Sequence, residues 1–342
     1  PSMVATVSFL TVTAAALVGL GARKIYRSIT AERGLPLPSL RAVAQQLGRK
    51  CAYPEDYFPG GAYAELPFGE THYFLFGPDN GKKVQPVVFI HGLSTPASVY
   101  SKVARHMAES GHRVLLYDLY SRGYSVGPPV DHDPLFYVSQ LDSLLQHVGW
   151  KKCNFVGLSL GGAIVASYAY RFPESVESIS FIAPGGLLLP SEVPWIGKIF
   201  AAPYSEDIFS HKSMRSYFSA KNIESMKAEF KDEKCVPSSV EEATEILALQ
   251  FRHHAGYPRG LMSTLKYFPL TGLQTQYAAL QQQSFPVQLI WGTKDTVIRA
   301  TTVKTFQELV PRGMVTVLEG ATHSLVMTHP DAIIGRLEGF LL

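Results

Sequence analysis

From residue 62 onward the chain alternates short, mostly apolar runs with longer stretches of helical period. Val87-Val88-Phe89-Ile90 and Val114-Leu115-Leu116-Tyr117 carry no charged side chain, as expected of strands covered on both faces. Similar runs stand at 153–156, 178–182, 287–290 and 314–318. An early pair, 62–65 and 72–76, flanks a Pro-Phe-Gly turn. Helical stretches fall between them, at 98–110, 134–148, 160–171, 301–309 and 330–342. Asp133-Pro134 marks one start, with Asp as the cap and Pro at the first helical position. Strand and helix repeated in this way predict a parallel sheet with helices on both faces.

The alternation stops at Pro184-Gly185-Gly186 and resumes at Val287. The intervening chain has a helical pattern and many aromatics, among them Trp195, Phe200, Tyr217, Phe251 and Phe268. These rings form either the core of a helical subdomain or, in part, the wall of a pocket beneath a cap; both readings stay open. His253-His254, with no carboxylate cluster nearby in sequence, reads as a polar surface feature. Cap boundaries are placed at 187 and 284.

Residues 3–22 carry no charge, and Arg23, Lys24 and Arg27 come directly after them. About 20 such residues can cross a bilayer as a helix. Residues 1–27 are therefore expected to be a membrane anchor, and the basic flank favours a cytosol-facing position for the rest of the chain. A cleaved or organelle-targeting segment, giving a secreted or imported protein, and a surface-lying helix are the alternatives. Residues 28–61, with two Pro/Gly-rich stretches, read as a stalk or linker holding a short helix near 39–47.

Composition narrows the chemistry. Of 342 residues, 46% are hydrophobic and 17% charged, which suits a large core. The net charge of +3 comes without a dense basic stripe, so nucleic acid is not an expected partner. Cys51, Cys153 and Cys235 are far apart and form no CxxC pair, so neither a disulfide framework nor a metal site is expected. Cys153, at the head of a strand, reads as a buried free thiol.

Asn154-Phe155-Val156-Gly157-Leu158-Ser159-Leu160-Gly161-Gly162 is the stretch with chemical content. It is a strand, Gly-x-Ser-x-Gly, and a helix that begins at once, the form of a nucleophile elbow. Such a turn leaves no space for side chains at its flanks and pushes the Ser159 hydroxyl out of the sheet. The helix N-terminus beside it favours a developing negative charge.

Four further motifs stand after successive strands: His91-Gly92, Asp118…Arg122-Gly123-Tyr124-Ser125, Gly292-Thr293-Lys294-Asp295 and Gly320-Ala321-Thr322-His323. With the elbow, in this order, the chain from 62 to 342 resembles the α/β-hydrolase superfamily. The resemblance implies a mostly parallel eight-stranded α/β-hydrolase sheet, helices on both faces, and a helical cap inserted after the sixth strand, so that the core is 62–186 and 285–342. It implies Ser159 as nucleophile, His323 as base and Asp295 as the carboxylate orienting that base, in the chain order Ser…Asp…His. Asp118 is the rival acid but matches a structural turn. Backbone N–H groups of Leu160 and, by resemblance, Leu93 would form the oxyanion hole, with His91 bracing the loop. A serine at the elbow points to acyl chemistry on a lipophilic ester with no metal or organic cofactor, and the whole is similar to membrane-anchored monoacylglycerol-lipase-like esterases. A C–C bond hydrolase or a ligand-binding receptor with weak turnover shares these motifs.

Overall fold

The computed structural model of the chain describes residues 36–48, 51–79, 86–192, 206, 211–230 and 237–341. Eight strands form one sheet: β1 Gly61–Leu66, β2 Gly69–Phe76, β3 Val87–Ile90, β4 Val114–Tyr117, β5 Cys153–Leu158, β6 Val176–Ile182, β7 Val287–Gly292 and β8 Met314–Leu318. Their order is β1-β2-β4-β3-β5-β6-β7-β8. β2 runs antiparallel to β1 and β4, and every other pair is parallel. The sheet is the mostly parallel eight-stranded one that the motifs imply. β3, β4, β5 and β7 are buried at every position, which is why their sequences lack strict alternation.

Among the described residues a short helical stretch, Leu40–Val43 continued by Ala44–Leu47, stands where one is expected, and the helices after it are α1 Ser101–Glu109, α2 Pro134–Val148, α3 Leu160–Arg171, α4 Lys212–Ala228, α5 Ser238–His253, α6 Tyr257–Tyr267, α7 Gln274–Leu280, α8 Ala300–Leu309, α9 Leu325–Thr328 and α10 Pro330–Glu338. α1 packs with α10 in one layer; α2, α3, α7 and α8 form the other, with α3 also against β5. α2 starts where the sequence says: Asp133 accepts a hydrogen bond from the Phe136 N–H at 2.8 Å, and Gly149 ends the helix in the left-handed region.

α4, α5 and α6 form the described part of the insertion after β6. α7 does not belong with them. Tyr277 is fully buried against Phe181 of β6 and donates to the Gly185 carbonyl at 2.8 Å, so the helix layer of the core resumes before the expected boundary at 284. Among the described cap aromatics, Tyr217 is exposed and Phe268 packs on Tyr137 of the main core. Phe251 and Tyr257 pack with Leu247, Leu261 and Met262 into a small core of the cap itself. Trp195 and Phe200 lie outside the described residues.

Two expectations fail for one reason, which is contact with residues far away in sequence. Residues 36–60 are not a stalk where they are described. Leu37 pairs with Gly127, and Leu40, Tyr53 and Phe58 are fully buried in the main core. His254 is not a surface residue; it is fully buried, with Nε2 3.0 Å from the Ser125 carbonyl and Nδ1 accepting from the Gly256 N–H at 3.1 Å. Cys153 is buried and free, as its strand position suggests. Among the described residues no helix is long and apolar enough to cross a membrane. The expected anchor over 1–27 lies outside them.

Candidate active site

The site stands at the carboxyl ends of β3, β5, β7 and β8. β5 turns into α3 through Ser159, whose φ of 53° and ψ of −114° are unusual for a residue with a side chain. The turn is possible because its flanks are bare. A Cβ on Gly161 would stand 2.1 Å from the Ile90 carbonyl oxygen, so the start of α3 can press against the end of β3 only as glycine. The Ser159 carbonyl in turn accepts from the N–H groups of Gly162 and Gly185 at 3.0 and 2.9 Å, which fixes the elbow from both sides.

The loops after β7 and β8 are joined to each other. A Cβ on Gly292 would stand 2.2 Å from the Ala321 carbonyl oxygen, the Lys294 N–H donates to that oxygen at 2.9 Å, and the Gly320 N–H donates to Thr293 Oγ1 at 2.8 Å. This contact brings Asp295 and His323 together. His323 Nδ1 lies 2.8 Å from Asp295 Oδ2, and His323 Nε2 lies 3.2 Å from Ser159 Oγ. Asp295 Oδ1 accepts from the N–H groups of Val297 and Ile298, both at 2.8 Å, so both carboxylate oxygens are held and the side chain has no exposure. An ionised Asp295 makes Nδ1 the protonated nitrogen of His323 and leaves Nε2 as acceptor toward the serine hydroxyl. Burial pulls the His323 pKa down, but the hydrogen bond and charge of Asp295, with the charge of Glu229, outweigh it and hold the pKa above its ordinary value.

A second set of contacts shapes the loop after β3. The Leu119 N–H donates to His91 Nε2 at 2.9 Å, which leaves the proton on Nδ1; that N–H donates to the Gly92 carbonyl at 2.8 Å. Gly92 O and the Leu93 N–H belong to one trans peptide, so the bond turns the Leu93 N–H to the opposite side. Burial pushes the His91 pKa down to about 4, so the ring is neutral at pH 7. Leu93 and Ser159 line the same cavity. Leu160 is the first residue of α3, and its N–H is one of those a helix cannot pair internally.

The sequence does not reveal how firmly this loop is held from outside. Arg122, fully buried, donates through Nε to the Leu93 carbonyl at 3.1 Å and through its Nη atoms to Tyr120 O, Tyr137 Oη and Thr264 Oγ1. Gln250 Nε2 and Tyr257 Oη both donate to the Ser94 carbonyl at 2.9 Å. Thr264, Gln250 and Tyr257 are cap residues, so α5 and α6 brace the loop that carries Leu93. Asp118 belongs to a different network. It accepts from Tyr53 Oη, the Ala97 N–H and the Tyr124 N–H at 2.8, 3.0 and 2.9 Å, and it makes no contact with His323. Burial opposes its ionisation, but His72, His91 and the Ala97 N–H prevail and hold its pKa below the ordinary carboxylate value.

A cavity of about 230 Å³ opens beside Ser159 and His323. Leu93, Val99, Leu158, Val326 and Met327 make it largely apolar, and α4 contributes Asn222, Ser225, Met226 and Glu229. A wider depression lined by Glu55, Tyr57 and Arg105 contains none of Ser159, Asp295 and His323. Among the described residues no group of three His, Cys, Asp or Glu side chains could hold a metal ion.

The geometry has the parts of nucleophilic catalysis: a hydroxyl, a base within hydrogen-bond reach, a carboxylate that orients the base, and backbone donors nearby. Residues 85–330 match the alpha/beta hydrolase fold family. The chain is similar to the monoacylglycerol lipase ABHD6 of Mus musculus, 22% identical over 276 residues that make up 75% of each chain. It is likewise similar to Lipase 1 of Psychrobacter immobilis, 23% identical over 278 residues, 75% of this chain and 76% of that one. Among solved structures it resembles the bromoperoxidase from Bacillus anthracis, with a TM-score of 0.66 at 23% identity over 82% of this chain and 99% of the other. With that family match covering more than half of its length, and with the strand order and elbow described above, the chain belongs to the α/β hydrolase fold family.

Proposed function

We propose that the protein is a serine hydrolase that cleaves a carboxylic ester of a lipophilic substrate, of monoacylglycerol type, through an acyl-Ser159 intermediate. The observation that carries this reading is the unbroken line from Asp295 Oδ2 to His323 to Ser159 Oγ, at 2.8 and 3.2 Å. His323 Nε2 takes the Ser159 proton as Oγ attacks the ester carbonyl. The oxygen of the resulting tetrahedral intermediate accepts from the N–H groups of Leu93 and Leu160. His323 then gives its proton to the departing alcohol, and the acyl group stays on Ser159. Water, deprotonated by the same nitrogen, attacks that acyl group; the acid leaves and Ser159 regains its proton. Asp295 keeps His323 in the required tautomer throughout. The apolar side chains of Leu93, Val99, Leu158, Val326 and Met327 suit a hydrocarbon acyl chain. The names of two relatives, a monoacylglycerol lipase and a lipase, support the same substrate class.

The proposal includes residues 1–27 as a membrane anchor that keeps the site near lipid. Purified protein incubated with a fluorophosphonate should be labelled at Ser159, and it should turn over acyl esters. Absence of both labelling and turnover would refute the serine hydrolase reading. Washing membranes with alkaline carbonate tests the anchor, and release of the protein into the supernatant would refute that part.

A further inference from the structure

The cavity beside Ser159 holds a carboxyl group that the hydrolytic steps do not use. Glu229 caps the C-terminal end of α4 and lines the same cavity as His323. Its Oε2 atom is buried and has no hydrogen-bond partner among the described residues. A buried carboxyl oxygen left without a donor is costly, and such groups are ordinarily satisfied. Asn222, Ser225 and Met226 line the cavity with it. The spacing 222, 225, 226, 229 places the four on one face of α4. Asn222 donates its amide N–H to the Phe218 carbonyl at 2.8 Å, which leaves its amide oxygen as an acceptor. The inward face of the cap is therefore rich in acceptors above a largely apolar floor.

The reaction fixes which part of an ester lies near these acceptors. The leaving oxygen must come within hydrogen-bond reach of His323 Nε2 to receive its proton. The alcohol portion therefore lies beside His323, in the cavity that Glu229 also lines. Among the described lining residues there is no Phe, Tyr or Trp to cage a quaternary ammonium. A hydroxyl donor is the chemistry that fits. Resting on the serine hydrolase reading above, we propose that Glu229, assisted by Asn222, is a specificity site for the alcohol portion. It selects esters whose alcohol carries a further free hydroxyl, that is, monoesters of polyols, over esters of simple alkanols.

The test compares kcat/KM for the 2,3-dihydroxypropyl and methyl esters of one medium-chain acid. Wild type, Glu229→Gln and Glu229→Ala are each measured on the plateau of their pH profile. Only the ratio of the two esters is read, so a general change in His323 or in the fold cancels. The wild type should prefer the dihydroxypropyl ester. Glu229→Ala should lower that ratio by about tenfold or more, the scale of a hydrogen bond to a charged group. Glu229→Gln, which keeps the shape and a neutral acceptor, should keep part of it. A flat ratio in the wild type overturns the proposal even where the alanine variant fails to fold, and so does a ratio unchanged in both variants. Turnover of both esters with fluorophosphonate labelling but a flat ratio overturns the specificity site alone. No turnover and no labelling overturn it together with the hydrolase reading.

Discussion

Replacing His91 separates its two hydrogen bonds. The imidazole accepts from the Leu119 N–H through Nε2 and donates to the Gly92 carbonyl through Nδ1, and the residue is fully buried. His91→Leu leaves both backbone groups without a partner. At about 1–3 kcal/mol for each buried unsatisfied group, the expected loss of stability is about 2–6 kcal/mol. The same change frees the Gly92–Leu93 peptide, so the proposed oxyanion donor is no longer aimed. Removal of one such donor costs about 100- to 1,000-fold in kcat, and a donor that is only loosened should cost about 10- to 100-fold. Two further variants divide the effects. His91→Asn places an amide N–H near the position of Nδ1 and should recover much of kcat; His91→Gln reaches toward Leu119 and should recover stability without kcat. Protonation supplies an independent check. The unfolded chain takes up this proton near pH 6.5 and the native ring only near 4, so native stability falls as pH drops through that window. The loss from this group is about 3 kcal/mol at the foot of the window, and the asparagine and glutamine variants should lack it. Urea unfolding at pH 8 and pH 4 and steady-state kinetics at pH 8 read these quantities. Equal kcat in the asparagine and glutamine variants, or a leucine variant within twofold of wild type, would refute the reasoning.

Three other outcomes are expected. The raised pKa of His323 places the acidic limb of kcat/KM above the ordinary imidazole value, because the base is lost as pH falls through that pKa; Asp295→Asn should lower kcat by about 10,000-fold by favouring the wrong tautomer, and a pH–rate profile for each enzyme checks both statements. Ser159→Gly should abolish fluorophosphonate labelling while raising stability by about 1–3 kcal/mol, since glycine adopts the positive φ without strain; a lower thermal midpoint would contradict this. Tyr53→Phe removes a buried bond to Asp118 and should cost about 1.5–3 kcal/mol in a denaturant titration, whereas a mere linker residue would cost nothing measurable.

The sequence alone determined the sheet, its helices and the elbow, because their signals are local. A strand covered on both faces must be apolar throughout, as in Val87–Ile90 and Val114–Tyr117. A turn that presses α3 against β3 must be glycine, as at Gly161. The loops bearing Asp295 and His323 could be placed because each follows its own strand, and β7 and β8 are neighbours in parallel register. Tertiary structure alone decided what depends on distant partners. Tyr53 meets Asp118 across 65 positions and His254 meets Ser125 across 129, so residues of a segment that reads as linker, and one histidine of a pair that reads as surface, are buried. Phe251 and Tyr257 of the cap pack on each other, Phe268 packs on Tyr137 of the core, and Glu229, at the end of a helix whose sequence is ordinary and polar, lines the cavity. Burial at these positions is set by what the folded chain brings opposite a residue, and no period or spacing along the chain records it.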